Sequence, residues 1–242
     1  MLAKRVTAEA ADSSDKSLYR FGGVAAVIVA LLLVGEVVLF ALRPQPGTVS
    51  DWFMLFQSNK LMGILEFWGL EIPMYFGFIL AFLALYTVLR KANKGLVTIA
   101  AVLALLGIAV FLATNNPVSM LRLSDQYAAA TTDAERATFL AAGETLLVNT
   151  SQRAVGGFNM GLFLVTVAGL IFAAVMLRSD AFTKAAAYVG ILAHIFALAD
   201  YLRQALTASP IVALLVILPG AVLLVTWFAM VGRRLYQLGR QG

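Results

Sequence analysis

The apolar residues of this chain gather in runs about 20 residues long, and nothing else in the sequence restricts the fold as strongly. At 1.5 Å per residue such a run spans the ~30 Å hydrocarbon core of a bilayer. Backbone polar groups find no water there, so a spanning segment must bond internally as a helix or close into a barrel. Strand-period alternation is absent, which excludes the barrel pattern. The composition agrees: 61% of the 242 residues are apolar and only 13% are charged, against roughly half and a quarter in soluble domains. The sequence therefore predicts an all-α, polytopic transmembrane bundle.

Six spans are read from the basic and turn residues that close the runs. They cover about 21–42, 61–89, 95–114, 157–177, 182–202 and 211–231. The first ends at Arg43 and the Pro44/Pro46 turn, the second at Arg90 and Lys91, and the third at Asn115, Asn116 and Pro117. Residues 1–20 form a polar segment without the short apolar stretch and cleavage site of a secretory signal, so the first span is expected to be retained. Residues 21–242 then form one six-helix domain.

Lysines and arginines orient the bundle. Lys4, Arg5, Lys16, Arg20, Arg90, Lys91, Lys94, Arg178, Lys184, Arg233, Arg234 and Arg240 fall on one side. Arg43, Lys60, Arg122, Arg136, Arg153 and Arg203 fall on the other. The 12:6 division predicts that both termini are cytoplasmic. The net charge of +5 is thereby read as topology, and the absence of a basic stripe interleaved with aromatics argues against nucleic-acid binding.

Two outer connections carry structure of their own. Asp51–Gln57 (DWFMLFQ) reads as a short helix lying along the headgroups, with an outward extension of the second span as the alternative. The long segment 115–156 reads as a helical hairpin or lid: Pro117 suits a first helical turn, and Thr132–Glu135 (TDAE) spells a capping box. Phe139, Leu146 and Leu147 give the following helix an apolar stripe that needs a partner. The six-span layout, with LSDQYAAATTDAERATFLAAGETLLV between the third and fourth spans, resembles a large bacterial family of small membrane proteins filed as a domain of unknown function. That resemblance implies a multi-pass protein of the bacterial inner membrane and carries no catalytic residue with it.

Polar residues inside spans are the functional candidates. Counting ~20 residues outward from each inner basic boundary sets their depth. Glu71 falls at the outer boundary of the second span, with Glu66 ~6 Å above it among the headgroups and solvated. Glu36 lies ~6 Å inside the first span. Asn159 and Asp200 fall near the same level, and His194 lies ~9 Å deeper. Glu36, Glu71, Tyr75, Asn159, His194 and Asp200 are thus the candidate ligand-binding set, forming an acidic rim over an apolar floor. Each has a structural alternative: a Glu71–Tyr75 bond, an Asp200–Arg203 pair at i+3, or a neutral core histidine. Gly157–Gly161 (GFNMG) offers a small-residue packing face. Pro219 in the sixth span and Pro73 in the second are expected to bend their helices.

Cysteine is absent and histidine occurs once, so thiolate chemistry and His/Cys metal sites are excluded. No phosphate-binding loop, nucleophile elbow or zinc-protease motif occurs, and no cofactor, catalytic set or metal site is predicted. Three functions remain. The first is a non-catalytic protein, with membrane lipids as its surroundings, that binds a small amphiphile or lipid in an outward-facing cavity as carrier, sensor or accessory subunit. The second is a proton- or cation-coupled transporter using Glu36, Glu71 and Asp200. The third is an intramembrane enzyme pairing His194 with a carboxylate.

Overall fold

The computed structural model describes residues 2–43, 45–150, 158–206 and 209–241. Pro44 of the expected turn, Arg153 of the outer basic set, and Gly156 and Gly157 of the small-residue motif lie outside them. Nine α-helices are found among the described residues, with no strand. They are α1 (Leu2–Leu42), α2 (Val49–Ser58), α3 (Lys60–Ile64), α4 (Glu71–Thr114), α5 (Pro117–Ala129), α6 (Asp133–Asn149), α7 (Met160–Met176), α8 (Lys184–Leu206) and α9 (Pro210–Arg240). Four helical stretches are long and apolar enough to cross a membrane, and α7 is a shorter apolar helix.

The 44-residue α4 would be ~66 Å long if straight. It breaks at Asn93, whose backbone is extended (φ −160°, ψ 92°). The Asn93 side chain accepts a hydrogen bond from the Leu96 amide at 3.1 Å, capping a new helical arm. The arms fold back on each other, because Tyr75 of the first stacks on Phe111 of the second with ring centroids 3.7 Å apart. Between the arms lie Arg90, Lys91 and Lys94, at the turn where the sequence places its second boundary.

The long helices close into a ring. α1 packs on α4 and α9, α4 on α7, α7 on α8, and α8 on α9. Small residues set these approaches. A β-carbon on Gly107 would meet the Gly161 carbonyl oxygen at 2.6 Å, so α4 and α7 touch backbone to backbone as the small-residue motif predicts at Gly161. Gly23 and Gly232 make the same kind of contact between α1 and α9.

A second layer covers one end of the ring. α2, α3, α5 and α6 pack on one another there. The side chain of α2 residue Trp52 meets Phe67 edge-on at 5.1 Å, and Phe53 meets Tyr127 of α5 at 5.1 Å. Ser124 of α5 is fully buried and its hydroxyl donates to the Phe53 carbonyl oxygen at 3.0 Å. At the rim, Lys60 pairs with Asp125 at 2.9 Å. The predicted capping box of α6 is present in full: Thr132 accepts from the Glu135 amide and Glu135 accepts from the Thr132 amide.

Two local expectations are corrected. Helix α2 is not laid along headgroups. Val49, Trp52, Phe53 and Phe56 are buried, and they form the core of the cap. Nor does one helix run from Leu61 onward. Helical geometry fails at Phe67 (φ −95°, ψ 66°) and Trp68 (φ 63°, ψ 11°) within a π-type turn, Leu65–Gly69. Pro73 stands in the first turn of α4, where its missing N–H costs nothing, so the bend lies ahead of the proline.

Candidate functional site

The ends of α4, α7 and α8 nearest the cap lie beneath it, and several of the predicted polar residues lie there too. Tyr75, one turn inside α4, is buried between Phe111 and Phe78. Trp68 stands edge-on to Phe111 at 5.6 Å and continues the stack toward the cap. Glu71 is buried one turn before Tyr75, at the helix N-terminus, where the backbone dipole favours negative charge. Glu71 and Tyr201 both lie within electrostatic reach of the Tyr75 hydroxyl. That hydroxyl meets no hydrogen-bond partner among the described residues.

Asn159 caps α7 by accepting from the Leu162 amide at 3.0 Å. Its amide nitrogen points to Asn115 Oδ1 at 3.4 Å. Asn115 in turn donates to the Thr150 carbonyl oxygen at 3.0 Å, tying the end of α6 to the bundle. Tyr201 of α8 donates to the Asn159 carbonyl oxygen at 3.3 Å, and its ring packs against Phe158 and Phe163. Four elements are therefore pinned at one level by side-chain amides and one phenol.

Glu36 belongs to the same level. Gly22, Ala25 and Val29 of α1 face Leu80, Ala84 and Gly77 of α4, and continuing that stripe by helical spacing reaches Glu36. Arg43 pairs with Glu66 at 3.1 Å farther out, so the antiparallel register sets Glu36 within about one turn of Glu71. Glu36 is buried, while Val34, Val37 and Val38 beside it are exposed.

Three predicted residues behave differently. Glu66 is 2% exposed and ion-paired, not solvated: the π-type turn folds it inward against Arg43. Asp200 is held by Arg203 at 2.6 Å and by Gln204 at 2.8 Å, the i+3 pairing that the sequence offered as the structural alternative. His194 lies deeper in the bundle. Its Nδ1 is 2.6 Å from the Gly190 carbonyl oxygen, its ring stands edge-on to Trp227 at 4.9 Å, and Nε2 presses on Gly169. Among the described residues no hydrogen bond or ion pair links His194 to a carboxylate; its neighbours are those of a packed core histidine. No group of His, Cys, Asp and Glu suited to a metal ion occurs among the described residues.

Sequence reading missed Tyr201, Asn115 and Thr150. Tyr201 sits beside Asp200, and an amphipathic tyrosine one residue from a span end was the available signal. Asn115 looked only like a helix stop. Thr150 contributes through its backbone oxygen, which has no sequence signature.

A ring of apolar helices, a folded cap and a buried polar level between them define an integral membrane protein. The chain belongs to the family described as a domain of unknown function (DUF4386), which matches residues 53–232. No match was found among curated proteins or among solved structures.

Proposed function

We propose that the chain is a six-pass protein of the bacterial inner membrane, with both termini cytoplasmic, that holds a small amphiphile or lipid headgroup at the outer polar level as carrier, sensor or accessory subunit. The six crossings correspond to α1, the two arms of α4, α7, α8 and α9. The cap then lies on the outer face, and the basic turn between the α4 arms lies on the cytoplasmic face, in keeping with the lysine and arginine distribution.

The ligand reading is carried by Tyr75. A buried hydroxyl without a partner costs about 1–3 kcal/mol, and such groups in native proteins call for an explanation. Tyr75 stands beneath the cap, within electrostatic range of Glu71 and Tyr201, and can donate to a ligand oxygen while the edge-on Trp68–Phe111 pair supplies an apolar wall. Glu36, Glu71 and Asn159 are the other groups at this level that we assign to the site, with Tyr201 added. His194 and Asp200 are left out, since packing and ion pairing account for both.

The transporter reading has less support. Below the polar level, the buried Thr87 and Thr166 hydroxyls donate to the Leu83 and Leu162 carbonyls of their own helices, which offers no relay toward the cytoplasm. Native mass spectrometry on protein extracted gently from its membrane and exposed to vesicles of total bacterial lipid tests the ligand reading. Wild type is expected to retain one discrete adduct that Tyr75→Phe and Glu71→Gln lose. A wild type that carries no adduct would refute it.

A further inference from the structure

Glu66, Phe67 and Trp68 are consecutive, and all three are buried. In a regular helix successive side chains point about 100° apart, so one packing surface does not bury three neighbours. The π-type turn sends each to a different partner. Phe67 enters the cap, with its ring 5.1 Å from Trp52 and 6.2 Å from Phe56. Trp68 faces the bundle, edge-on at 5.6 Å to Phe111, the ring that stacks on Tyr75. Glu66 reaches the end of α1, where Arg43 Nε lies 3.1 Å from its Oε1.

This junction is strained and is pinned from one side. Trp68 holds φ at 63°. A bulky residue stays there only where its surroundings over-determine it, and such residues cluster at clamps and switches. A β-carbon on Gly69 would meet the Ile64 carbonyl oxygen at 2.2 Å, so no larger residue closes the turn. Single π-type turns within helical stretches likewise recur at functional sites. In the ion pair the Glu66 side chain is 2% exposed and that of Arg43 47%. Water reaches the cation and hardly reaches the acid. A carboxylate left inside without its cation is costly, so parting of the pair drives Glu66 outward. Phe67 and Trp68 follow it in the chain, and they are the residues of the turn with non-helical backbone. Rotation there releases the strain at Trp68.

We infer that Leu65–Gly69 is a two-state shutter over the Tyr75 level, held closed by the Arg43–Glu66 pair and opened when that pair parts. In the closed state Trp68 packs on Phe111 and the turn joins cap, bundle and α1. In the open state Glu66 faces water, Trp68 leaves Phe111, and the way from the cap side to the Tyr75 hydroxyl is cleared. The role in ligand entry rests on the ligand reading of the Tyr75 level. The motion itself does not, and follows from strain, burial and the one-sided pin.

Hydrogen exchange followed by mass spectrometry on delipidated protein in detergent tests the motion. Arg43→Gln should raise exchange over residues 65–70 several-fold and leave α7 and α9 as protected as in wild type. Arg43→Gln/Glu66→Gln leaves no charge to expel and should restore wild-type protection. Unchanged exchange in the single variant, or an increase spread evenly over the helices, overturns the shutter. So does a double variant that exchanges as fast as the single one. Salt screens a half-exposed pair, so high ionic strength should speed exchange over 65–70 in wild type and not in the double variant. A wild type without that salt response overturns the latch, even if Arg43→Gln fails to fold. Ligand entry is read separately, as the rate at which a bound lipid adduct is replaced by deuterated lipid. Arg43→Gln should replace it several-fold faster, and equal rates overturn the gating role. A wild type that carries no adduct removes the ligand reading and the gating role with it, while the exchange result still decides the motion.

Discussion

At the scale of single residues, burial and register decide which polar groups matter. Tyr75 carries a hydroxyl with no hydrogen-bond partner among the described residues, so its removal has an unusual sign. Tyr75→Phe should leave delipidated protein as stable as wild type, or stabilise it by about 1 kcal/mol, measured as the melting midpoint in detergent. A clear destabilisation would mean that the hydroxyl is already satisfied. Glu135 gives a pH prediction on the exposed cap. Backbone hydrogen bonds from Thr131 and Thr132 hold its carboxyl below the usual carboxylate value. Its contribution is therefore present above the unfolded pKa and lost as pH falls through the lower folded value. Hydrogen-exchange protection at the start of α6 should weaken on acidification below the ordinary carboxylate range, and Glu135→Gln should flatten that dependence. Thr132→Ala should weaken the same turn by about 1 kcal/mol.

At the scale of elements, three joints shape the molecule. The α4 turn at Asn93 converts one apolar stretch into a hairpin. The π-type turn at Leu65–Gly69 separates cap from bundle, and it places Trp68 in the left-handed region, where a bulky residue is rare and strained. The α4–α7 seam is the third joint. Gly107 and Gly161 bring the two backbones together, so a β-branched side chain has no room. Gly107→Val should destabilise the detergent-solubilised protein by about 1–3 kcal/mol through overpacking. The same substitution at Gly35, where the structure leaves open space, should cost far less. Equal losses at both positions would argue against a close seam.

At the scale of the whole molecule, the cap and the basic turn must lie on opposite membrane faces if the chain crosses six times. A maleimide that cannot cross membranes should label Glu144→Cys on intact cells and label Arg178→Cys only after permeabilisation. Reversed labelling would invert the topology, and labelling of both from outside would break the span count. The sequence on its own determined that the chain is helical and membrane-bound, because a run of about 20 apolar residues has few other ways to satisfy its backbone in lipid. It also determined the α6 capping box, since a cap depends on spacing along one helix. Only the tertiary structure decided that α2 is core and not a headgroup helix, because an aromatic face reads the same whether lipid or protein covers it. Only tertiary contacts buried Glu66 against Arg43, matched Tyr201 to Asn159 and left Tyr75 alone among aromatics. Those outcomes depend on how separate helices meet, and no spacing within one helix encodes the position of the next.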